Sequence, residues 1–187
     1  MTMMLKLAAG ALAVTTIAGA ANGAVLVAGN SSAETCYTLA AREADNRGAL
    51  RPCDFALREE ALTREDRIAT YVNRGIIQFH RGQYDLALAD FDEALEMDAE
   101  QPEAMLNKAI VLMRRDERGE EALPYFTRAL ELGTQSPAVA HYGRGLAHHL
   151  TGDLTSAYID ILTATELAPE WEAPRNDLDN YIVEPNS

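Results

Sequence analysis

Basic side chains are scarce in this chain of 187 residues. It has two lysines, Lys6 and Lys108, and no Lys/Arg cluster; 29 acidic residues face 16 Lys and Arg, for a formal net charge of −13. Such a balance repels phosphate backbones and anionic membrane surfaces, so a nucleic-acid-binding role is set aside. Catalytic signatures are missing as well. There is no GxSxG, no GxxxxGK(S/T), no HExxH and no cysteine–histidine framework. Their absence removes the nucleophile elbow, the phosphate loop and the zinc-protease helix. Gly143-Arg144-Gly145 is a fragment of a glycine pattern, but it lies inside a helical stretch and follows no strand. The four histidines, His80, His141, His148 and His149, lack the convergent Cys or carboxylate partners of a zinc site. No enzyme, metal centre or cofactor is expected.

Charge is also absent from one long stretch. Leu7 to Gly29 carries none, and Lys6 precedes it. A basic start, an apolar run and small residues such as Ala18-Gly19-Ala20 read as a secretory signal, with Gly23 or Ala24 as later cleavage points. Left uncut, the stretch is long enough to anchor the chain in a bilayer. A cytosolic N-terminal helix is the third reading. Residues 1–24 are thus expected to be a signal peptide or membrane anchor and 25–33 a linker. The soluble part is expected in the periplasm, free or tethered to the inner membrane.

Cysteine is limited to Cys36 and Cys53. An even count in an exported chain favours a disulfide over two buried thiols. The bridge would close a loop of about seventeen residues, for roughly 3 kcal/mol in the chain-entropy picture.

What the chain has in abundance is order among its small residues. Ala87, Ala122 and Ala157 stand 35 residues apart. Each is followed four residues on by a large apolar side chain (Phe91, Phe126, Ile161) and seven on by another alanine (Ala94, Ala129, Ala164). A fixed period of this length marks a repeat architecture. Within each period two helical patterns are broken by a glycine turn (Gly82, Gly119, Gly152). Three helix–turn–helix units follow: 68–101, 102–137 and 138–171. A degenerate pair occupies 34–62, with Cys36 and Cys53 on its two segments, and 171–183 reads as a capping helix. The repeat domain spans 34–183. Most acidic residues, including Asp90, Asp92, Glu93 and Glu96, are assigned to solvated faces.

Tyr71, Gly75, Tyr84, Ala87, Phe91 and Ala94 in the first unit resemble the tetratricopeptide repeat family. So do Ala109, Ala122, Phe126 and Ala129 in the second, and Gly145, Ala157, Ala164 and Pro169 in the third. Asn73 and Asn107 stand where that family often carries asparagine. The resemblance covers about 105 residues and implies an all-α fold, a right-handed superhelix of antiparallel helix pairs. It also implies a concave face lined by the first helix of each pair, where peptides bind. Carried over residue by residue, that face holds Ala69, Val72, Ile76, Phe79 and His80, then Glu103, Leu106, Ile110, Met113 and Arg114, then Val139, Tyr142, Leu146, His149 and Leu150; the binding groove is assigned to Val72, Ile76, Phe79, Leu106, Ile110, Met113, Tyr142 and Leu146. A strip so apolar needs cover. The expectation is a protein–protein interaction module binding an apolar peptide or helix. The alternatives are a self-associating structural protein, its groove covered by its own segments, and a small hydrophobic ligand or metal. Asn73 is expected to bond backbone or groove water. Lys108 looks misplaced for a carboxylate clamp.

Overall fold

The computed structural model describes residues 4–7, 23–27, 29 and 31–184. Most of the N-terminal segment expected to be a signal or anchor therefore lies outside the described residues. Among those described, nine helices follow one another: α1 (Ser32–Ala41), α2 (Arg51–Glu59), α3 (Arg64–His80), α4 (Tyr84–Met97), α5 (Pro102–Asp116), α6 (Gly119–Glu131), α7 (Pro137–Leu150), α8 (Leu154–Leu167) and α9 (Glu172–Leu178). None is long and apolar enough to cross a membrane.

The helices start where local chemistry lets them. Thr63 caps α3 by accepting from the Asp66 N–H, and Gln101 caps α5 by accepting from the Glu103 N–H. Both satisfy donors that have no partner inside the helix. Pro102 and Pro137 open α5 and α7, where a missing N–H is harmless. α8 ends at Leu167, two residues before Pro169.

Consecutive helices pair as α3 with α4, α5 with α6 and α7 with α8, while α3, α5 and α7 lie side by side along the array. The result is an all-α solenoid of helix pairs. Large side chains seat on small ones. A Cβ added to Gly75 would stand 2.6 Å from the Phe91 ring, so Gly75 makes room for that ring. Phe126 of the second unit, which has Ala109 where the first has Gly75, also stands against a glycine. A Cβ on Gly143 of the next unit would lie 2.4 Å from its ring. Ala87, Ala94, Ala122, Ala129, Ala157 and Ala164 are all completely buried.

Cys36 of α1 and Cys53 of α2 form a disulfide, which joins the two helices of the first pair. At the other end the sequence pattern carried the capping helix to residue 183, but α9 stops at Leu178. Tyr181–Glu184 is instead a strand, β2, paired antiparallel with β1 (Met4–Leu7). Tyr181, Ile182 and Val183 are aromatic and β-branched, types that suit extended backbone better than a helix end. β1 also lies against α8. The segment 23–27 sits elsewhere, against α3 and α5. The two described N-terminal stretches thus meet different ends of the repeat array.

Candidate functional site

The first helices of the three units, α3, α5 and α7, lie side by side, and the eight apolar residues expected to line a groove on them belong to the core. Val72, Ile76, Leu106, Met113 and Tyr142 are completely buried; Ile110, Leu146 and Phe79 are 2%, 1% and 8% exposed. They form no bare strip. Part of the cover is visible on the chain itself.

At the α3 end the cover is residues 23–27. Asn73 is 0% exposed and pairs with the backbone of Val25 on both sides of its amide. The Val25 N–H donates to Asn73 Oδ1 (2.9 Å), and Asn73 Nδ2 donates to the Val25 carbonyl (2.8 Å). One carboxamide thereby satisfies both hydrogen-bonding groups of an extended residue. Val25 and Ala24 pack on the central core, and Val27 is buried with Ala33, Ala56 and Ala69. Leu26, between the two valines, is 66% exposed. That alternation is the period of an extended strand. The segment falls across the expected boundary between signal and linker. Its in–out alternation was hidden in the longer uncharged run.

Gly23 lies over Glu103 of α5. The Glu103 carboxylate is 1% exposed, yet among the described residues no cation pairs with it. Oε1 accepts from the Gln135 N–H (2.6 Å), and both oxygens accept from Thr134 Oγ1 (3.1 and 3.0 Å). Burial pushes its pKa above the usual carboxylate range, and these two donors only partly oppose the shift. Asn107, one turn on, donates from Nδ2 to the Glu103 carbonyl (2.8 Å).

At the α7 end the chain's C-terminal residues supply the cover. The Tyr142 hydroxyl donates to Asp177 Oδ2 (2.6 Å), and its ring meets Trp171 edge-on at 4.9 Å. His149 Nδ1 lies 3.1 Å from the Tyr181 hydroxyl. Burial raises the pKa values of Asp177 and Tyr181 and lowers that of His149.

Other polar residues serve the helix pairs instead. Asp90, assigned from sequence to a solvated face, is 4% exposed and is held by Arg74. Asp160 is held by Arg144 and His141, with His148 Nε2 4.0 Å away. Lys108 pairs with Asp92 and stands 4.7 Å from the Tyr125 ring centroid. Among the described residues no group of three or more His, Cys, Asp and Glu is placed to hold a metal ion.

Stacked antiparallel helix pairs define a helical-repeat scaffold. The family profile described as tetratricopeptide repeat matches residues 72–137 and 114–170, more than half of the sequence, and the chain belongs to that family. No match was found among curated proteins. Of solved structures, the chain is similar to MamA (41-end) from Desulfovibrio magneticus RS-1. Identity there is 23%, with 81% of this chain and 84% of that one covered and a TM-score of 0.62. The RS-1 MamA ArsTM double mutant matches alike, at 23% identity, 81% and 83% coverage and a TM-score of 0.62. The first tetratricopeptide domain of human RPAP3, solved by NMR, is 24% identical; 60% of this chain and 87% of that one are covered, with a TM-score of 0.55. These likenesses establish the fold. Domains of this family bind protein or peptide partners and are generally non-enzymatic.

Proposed function

We propose that this protein is a non-enzymatic scaffold of the bacterial cell envelope whose concave face takes an extended, largely apolar peptide segment. The observation that carries the reading is the two-sided pairing of Asn73 with Val25. A side chain that bonds both backbone groups of one residue recognises an extended chain and does not suit a helix, whose backbone groups are already spent on each other. The flanking apolar contacts then supply the affinity. Residues 23–27 are the segment that shares this face in the isolated chain, and a partner would compete with them.

The envelope location rests on the uncharged stretch after Lys6 and is supported by the Cys36–Cys53 bridge, since disulfides persist in oxidising compartments. Processing near Ala20 would remove β1 and keep residues 23–27. Fractionation with N-terminal sequencing tests this half of the proposal. A periplasmic chain beginning between Ala21 and Gly23, or a membrane-bound one beginning at Met1, is expected; a cytoplasmic chain beginning at Met1 contradicts it. The groove half is tested with Asn73→Ala. Envelope proteins recovered by the wild type should be lost while helical circular dichroism persists. An unchanged set would overturn groove binding.

A further inference from the structure

The concave face also carries a feature that selects what can lie in it. Gly23 stands two residues before the Val25 amide that Asn73 reads, and two independent facts favour glycine there. Its φ is +45°, in the left-handed region that side-chain-bearing residues avoid. A Cβ built on it would fall 2.0 Å from Glu103 Oε2 and 3.0 Å from the same side chain's carboxyl carbon. A glutamate tip could swing aside if it were free, but this one is held by Thr134 and the Gln135 N–H and is 1% exposed. Moving it would separate a buried carboxylate from its donors.

From this we infer that Glu103 is a specificity-determining residue, and that the partner of the concave face is an extended apolar peptide with glycine two positions before the residue paired with Asn73. The inference rests on the proposed groove binding and adds the identity of one ligand position. Residues 23–27, Gly-Ala-Val-Leu-Val, are the pattern written in the chain itself. They act as a built-in competitor that a partner of the same pattern displaces. Thr134 and Gln135 position Glu103 and do not meet the peptide.

The test uses the full chain and a capped, fluorescently labelled peptide of residues 21–29, followed by anisotropy. Changing Gly23 to alanine in the protein weakens only the built-in competitor. The peptide should therefore half-saturate Gly23→Ala protein at about a tenth of the concentration the wild type needs, and the same peptide with alanine at its glycine should bind about tenfold more weakly to either. Circular dichroism confirms that both proteins keep their helices, as a change in residues 23–27 leaves the repeats themselves untouched. Equal binding of the glycine and alanine peptides overturns the glycine rule and leaves groove binding standing. No binding of the glycine peptide to Gly23→Ala protein overturns both. A dimer in light scattering that the peptide converts to monomer would put a second copy's residues 23–27 in the face, and would overturn the assignment to a separate partner.

Discussion

Arg74 and Asp90 form a two-bond ion pair that Arg144 and Asp160 repeat atom for atom two units later. In the first, Nε and Nη2 meet Oδ2 and Oδ1 at 2.8 and 2.7 Å; in the second the same atoms meet at 2.7 and 2.8 Å. Each pair ties the first helix of its unit to the second, with the same separation of 16 residues. The middle unit, whose turn is one residue longer, has Lys108 and Tyr125 at the corresponding places and makes a cation–π contact instead. Removing one partner of a buried pair strands a charge. Arg74→Ala and Arg144→Ala should each cost about 3 kcal/mol in urea denaturation. Lys108→Ala should cost about 1 kcal/mol or less, because its partner Asp92 is half exposed.

The buried carboxylates predict opposite responses to pH. Glu103 has a folded pKa above its unfolded value because it is buried. Between those two values the folded state holds more protons, so stability falls as pH rises from about 4 through the folded pKa. Glu103→Gln should flatten that limb, and raise stability near neutral pH. At Asp160, burial works upward, but Arg144 and His141 outweigh it and hold the carboxyl below its usual range. Its contribution is present above the unfolded value and is lost as pH falls through the folded one. Thermal melts of the wild type and Glu103→Gln between pH 4 and 8 check the first limb; a parallel slope for the two proteins would refute it.

The first helix pair is joined by Cys36–Cys53, which stand 17 positions apart in the sequence. Replacing both cysteines by alanine should lower stability by roughly 3 kcal/mol, since a loop of that size is no longer closed in the unfolded chain. Terminal pairs of a solenoid have a neighbour on one side only. Amide exchange in the variant should therefore quicken first in α1 and α2, with α5 to α8 the last to respond.

Gly75 and Gly143 test the nesting of the helices. Each faces an aromatic ring closer than a real Cβ can stand, Phe91 and Phe126 respectively. Gly75→Ala and Gly143→Ala improve helix propensity by about 1 kcal/mol but force the rings to move, at a cost of about 1–3 kcal/mol. The net result should be destabilisation in both, read from denaturation midpoints. Stabilisation in either would mean that the ring has room the structure does not give it.

Much of this fold was legible because a repeat states its pattern three times. The alanine ladder, the glycine turns and Thr63 before an acidic first turn placed α3 to α8 within a few residues. Other features were not, for physical reasons. Asp90 looks like any surface carboxylate until the pairing with Arg74 is known, although the equal spacing of Arg144 and Asp160 was a signal in the sequence. The helix expected to reach residue 183 stops at Leu178, because Tyr181–Glu184 gains backbone partners from β1 that no local pattern reveals. That the eight residues expected to line a groove are apolar and turned inward was legible in their spacing. Their cover was not, since Ala24–Val27 merges with the uncharged stretch before it and its partner, Asn73, is 48 residues away.

The proposed function depends on residues 24–27 lying against α3 with the Val25 backbone held by Asn73. Site-resolved amide exchange at Val25 measures this directly, because that N–H donates to Asn73. The account predicts a Val25 amide protected well beyond a free peptide in the wild type, and released in Asn73→Ala while α5 and α7 stay protected. A Val25 amide that exchanges at the free-peptide rate in the folded wild-type protein would contradict it.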